Sequence, residues 1–135
     1  MSLLKIGAAG LVATVGLMVA SDDLRAQPAG PAVITVRLSE YKFTPAEIDL
    51  DHGQTYVLRV VNAGDKAHDL SAKAFFQTVT LAPGSTSEVQ DGAVELAMGE
   101  SADVSFTAGA PGTYEMHCTH PLHSMLGMKG RIVVR

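Results

Sequence analysis

Residues 116–130, read MHCTHPLHSMLGMKG, hold the chain's only cysteine, three of its five histidines and three of its six methionines. A single thiol cannot close an internal disulfide. Behind an export-type N-terminus, where thiols oxidise, Cys118 is therefore a buried inert group, a reactive nucleophile or a metal-bound thiolate. Taken alone it reads as a small buried hydrophobe. Followed by His123 five residues later and Met128 ten residues later, it reads as a ligand.

A third strong donor has to come from elsewhere, and His68 is favoured because it follows a strand-like run and the loop at 62–67. His52 sits in an Asp-His-Gly turn and reads as solvated. Two imidazoles and a thiolate in a plane, with a distant thioether on the axis, make an electron-transfer copper site whose soft and borderline donors suit both Cu(I) and Cu(II). Met125 competes with Met128 for the axial place, and the glycines flanking 128–129 favour Met128 because they let the backbone approach closely. Met116 reads as core. His117 reads as outward-facing and His120 as an exposed loop residue, with a role for His120 as a rival ligand left open.

These donors need a scaffold. Residues 33–39 alternate, with Ile34, Val36 and Leu38 on one face and Thr35, Arg37 and Ser39 on the other, which predicts a half-buried strand. Further strands are expected at 47–50, 55–61, 76–81, 93–96, 102–106, 113–118 and 131–134, separated by turns rich in Gly, Pro, Asn and Asp. Residues 71–79 are the one segment with room for a helical turn, since Ala72, Ala74, Phe75 and Phe76 break the period of two. Seven or eight short strands with such punctuation predict an all-β, antiparallel sandwich. In residues 113–118 alternation turns Tyr114, Met116 and Cys118 to one face and Glu115 and His117 to the other. The loop at 119–130 then brings His123 and Met128 back over the same end.

The segments CTHPLHSMLGMKG at 118–130, YKFTP at 41–45 with Ile48 and Gly53, and VNAGDKAHDL at 61–70 resemble the cupredoxins. Residues 118–124 are closest to azurin, and Gly127-Met128 is similar to plastocyanin. The likeness covers most of 33–135 and is thin over 71–92. It implies a Greek-key β-sandwich holding one copper through His68, Cys118 and His123, with Met128 axial, and passing single electrons between redox proteins. It also implies that a side chain such as Asn62 ties the two ligand loops together. Its redox partners would be a c-type cytochrome or a periplasmic oxidoreductase, met through an apolar rim of Pro121, Leu122, Met125 and Leu126.

Rival functions are a copper module for storage or delivery without electron transfer, and an enzyme. Histidines flanking a cysteine resemble part of a multicopper oxidase, but this chain has no paired His-x-His segments to complete a second cluster. No segment offers an orienting Asp or Asn for a thiol hydrolase. The expectation is a carrier and not an enzyme.

Lys5 and the apolar run at 6–20 read as a secretory signal ending near Ala26, too short for a comfortable membrane span. Residues 27–32 read as a flexible mature N-terminus, and 33–135 as one domain of about 100 residues, enough for a single core. The mature chain is thus expected to be periplasmic or secreted, monomeric, and without stable membrane insertion. The formal net charge of −4 argues against nucleic acid.

Overall fold

The structure, a computed structural model, describes residues 30–135 and, before them, Gly10 alone. The signal expected over 1–26 falls, Gly10 apart, outside the described residues. Among those described, no helix is long and apolar enough to cross a membrane.

Among the described residues, ten strands form two five-stranded sheets. One sheet runs β2 (Lys42–Thr44), β1 (Ala32–Ser39), β4 (Thr55–Asn62), β8 (Ser101–Thr107), β6 (Thr80–Leu81). The other runs β3 (Glu47–Leu50), β10 (Lys129–Val134), β9 (Gly112–His117), β5 (His68–Ser71), β7 (Ala93–Leu96). From β2 to β9 the chain changes sheet at every step, so the inward faces of consecutive strands meet in one core. Val36, Leu38, Leu58, Val60, Val104 and Phe106 come from the first sheet, and Leu70, Val94, Leu96, Met116 and Ile132 from the second.

The alternation expected for β1 and β9 holds residue by residue, and β4 and β8 alternate in the same way. Three details differ. The sandwich is not antiparallel throughout, because β1 pairs β4 and β3 pairs β10 in parallel. That follows from the sheet change after β2, which separates β3 from its sequence neighbours. Residues 76–81 are a strand only at Thr80–Leu81. Before it, α1 (Lys73–Phe76) makes one helical turn that drives Phe75 into the core. The Phe75 ring meets Phe106 of the first sheet at 5.5 Å and Tyr114 of the second at 5.8 Å, both edge-on. Edge-on ring pairs contribute about 0.5–1.5 kcal/mol each beyond area burial. The short strands β2 and β5 are the third difference, both unexpected from the sequence.

Candidate metal centre

β4 ends at Asn62 and the chain crosses to β5 at the same end of the sandwich where β9 ends at His117. Asn62 is buried and organises the crossing loop. Its Nδ2 donates to the carbonyls of Lys66 at 2.8 Å, Leu96 at 3.1 Å and Ala97 at 3.2 Å, while its Oδ1 accepts the Gly64 N–H. The tie expected of Asn62 between the two ligand segments is made instead by Asp69. The Thr119 N–H donates to Asp69 Oδ1 at 2.7 Å and the Thr119 hydroxyl donates to Oδ2. Asn62 points to the β7 end, whereas Asp69 lies on β5 beside β9.

His68, Cys118 and His123 converge. Their donor atoms all lie within 4.8 Å of one another, and all three residues are buried. His68 Nδ1 and His123 Nδ1 are 3.2 Å apart, and Cys118 Sγ lies 3.4 Å from His123 Nδ1 and 4.0 Å from His68 Nδ1. The segment from 118 to 128 closes on itself: the Cys118 N–H donates to the Met128 carbonyl and the Met128 N–H to the His123 carbonyl, each at 3.1 Å. Gly127 makes this return with φ 108°, which a side chain would resist. Met128 is fully buried against this segment, while Met125 is 80% exposed.

His120 stays outside the donor triad. Its Nε2 lies 2.7 Å from Glu95 Oε1 and its ring stacks on His123 at 5.5 Å. His117 is half-buried on the opposite face from Cys118, with Nδ1 free of any protein partner among the described residues. His52 is exposed, with Nδ1 2.6 Å from the Gly109 carbonyl oxygen.

Burial pushes the Cys118 thiol above its usual range, against the opposing pull of the Asp69 and His120 backbone N–H groups. Burial also pushes His123 down, helped by repulsion from His68 and His120. The pocket therefore favours a neutral His123 ring and a protonated thiol, and a soft cation has to displace that proton to bind. Two buried ring nitrogens and one buried sulfur fit copper and are poor hosts for hard, oxygen-loving ions.

Linkage sets the pH limits of the metal-free fold. The His123 contribution is complete above its ordinary value of 6.5 and is lost as pH falls towards its depressed one. The Cys118 contribution is complete below 9.0 and is lost as pH rises through its elevated value. Thermal unfolding of the metal-free protein is expected to have its highest midpoint between those values, with a decline on both sides. A midpoint that rises on acidification from pH 6.5 to 5 would contradict the burial argument.

This fold and this donor arrangement define a cupredoxin. Copper binding proteins of the plastocyanin/azurin family match residues 32–135, and the chain belongs to that family. It is 31% identical over 100 residues to the copper-resistant cuproprotein CopI of Rubrivivax gelatinosus, covering 70% of this chain and 60% of that one. It is 31% identical over 119 residues to auracyanin-B of Chloroflexus aurantiacus, covering 83% and 51%. The chain thus spans between half and two thirds of the length of these relatives. The solved structure of auracyanin A from Chloroflexus aurantiacus, described as a "blue" copper protein, aligns with a TM-score of 0.55 at 27% identity, over 78% of this chain and all of that one.

Proposed function

We propose that this chain is an exported single-electron carrier with one type 1 copper, bound by His68, Cys118 and His123 with Met128 axial, and that it is not an enzyme. The convergence of one buried sulfur and two buried imidazole nitrogens within 4.8 Å carries this reading. When bound, copper supplies a one-electron couple. The chain's part is to hold the donors so tightly that neither oxidation state rearranges them. Asp69 and the Cys118–Met128 backbone pair do this from two sides.

The apolar rim is present as well. Leu122, Met125 and Leu126 are exposed around His123, which itself is only 8% exposed. Such a patch, depleted of charge, suits brief docking of a redox protein, with His123 the nearest donor to the partner. A c-type cytochrome or periplasmic oxidoreductase is the class of partner proposed. Residues 1–26 are proposed as the export signal that places the carrier in the periplasm or outside the cell.

The likeness to CopI favours a second reading, copper storage or delivery. Voltammetry of the copper-loaded protein separates the two: a carrier gives a reversible one-electron wave, whereas a delivery protein releases Cu(I) to a chelating acceptor faster than it exchanges electrons. In the same assay, Met128→Gln is expected to shift the wave and Met125→Leu to leave it in place. Equal responses from both variants would remove Met128 from the axis.

A further inference from the structure

The turn between β1 and β2 lies outside the donor set, yet it touches both imidazoles. Glu40 Oε1 is 3.3 Å from His68 Nε2, the ring nitrogen facing away from Cys118 and His123. The same oxygen accepts the Asp65 N–H at 2.6 Å. One residue on, the Tyr41 ring meets His123 edge-on, with centroids 5.2 Å apart at 68°. Tyr41 has φ 64°, a left-handed conformation that costs an aromatic residue energy. The turn keeps that conformation while sending adjacent side chains to different histidines.

Gly64 clears the route. A Cβ there would fall 2.5 Å from Glu40 Oε1 and 2.9 Å from His68 Nε2, so only glycine lets the carboxylate reach the ring undisturbed. A glutamate carboxyl that accepts a backbone N–H is an anion at neutral pH.

An imidazole that ligates through Nδ1 must carry its proton on Nε2. A carboxylate accepting that proton fixes the tautomer and the ring plane and makes the ligating nitrogen more basic. Its negative charge also favours the more positive of two metal oxidation states.

We propose that Glu40 is a positioning residue for the metal centre, locking the Nε2–H tautomer of His68 through the gap left by Gly64 and biasing the site towards Cu(II). This rests on the copper reading above. Glu40→Gln is the informative variant, because its amide oxygen still accepts from Asp65 and reaches His68 while the charge is gone.

Three readouts are expected to move together. Cu(II) affinity, measured by competition with a chelator, falls about 10–100-fold. Cu(I) affinity falls less, so the reduction potential rises by about 59 mV for each tenfold change in the ratio of the two. In the diamagnetic Cu(I) protein, the His68 Nε2–H exchanges with solvent faster by nuclear magnetic resonance. Gly64→Ala, which retains the carboxylate but displaces it, is expected to raise the potential in the same direction, and so covers the case in which Glu40→Gln fails to fold.

A blue wild-type protein whose Glu40→Gln variant keeps its Cu(II) affinity, potential and Nε2–H exchange overturns this proposal alone. A wild-type protein with no blue band overturns the copper reading and this one with it.

Discussion

Cys118→Ser is expected to abolish the intense visible absorption of the Cu(II) protein and to widen its copper hyperfine splitting to that of an ordinary complex. The chain has one thiol, so no second sulfur anion can take its place. A serine hydroxyl does not ionise near neutral pH and is a hard donor, which leaves Cu(II) with two imidazoles in a pocket built for three strong ligands. The fold should survive. Cys118 is 1% exposed, and a hydroxyl there costs about 1–3 kcal/mol if left unpaired, less than the stability of a typical domain. A variant that folds and keeps the band would remove Cys118 from the site.

Asp69→Ala should lower stability substantially although it removes no ligand atom. Asp69 is buried, and both its oxygens are occupied by Thr119, fixing the start of the segment that carries His123 and Met128. Hydrogen bonds to a charged group contribute about 1.5–3 kcal/mol each, so losing the pair should cost about 3–6 kcal/mol. For a domain of this size, each kcal/mol lowers the unfolding midpoint by about 4–8 °C, a drop on the order of 10 °C or more. Asp69→Asn retains an oxygen for the Thr119 N–H and should recover most of it. Calorimetry of the metal-free proteins checks the ranking. If the alanine and asparagine variants melt alike, the Thr119 amide bond contributes nothing.

The long alternating strands were legible because burying one face and wetting the other writes a period of two directly into β1, β4 and β8. β5 was not legible, since all four of its residues are buried and no alternation survives. The helical turn at Lys73–Phe76 rests on Phe75 finding aromatic partners more than thirty residues away, which no local pattern encodes. His123 and Met128 were found through their spacing from Cys118. His68 had to be chosen by context, and the structure brings it to them across a separation of 50 residues. Asp69 and Glu40 escaped notice for the same reason. Their partners, Thr119 and His68, lie 50 and 28 residues distant, and an isolated acidic residue in sequence reads as a solvated charge.

The seating of β10 between β3 and β9, parallel to one and antiparallel to the other, has a consequence for biogenesis. Its ladder joins Arg131 to Glu47, so this sheet closes only when distant parts of the chain meet, a step of milliseconds to seconds in folds dominated by such pairings. Until then the sulfur-rich stretch is anchored at one end and exposed to oxidants and to stray ions. The three-donor pocket therefore exists as a preformed unit only once this sheet has closed.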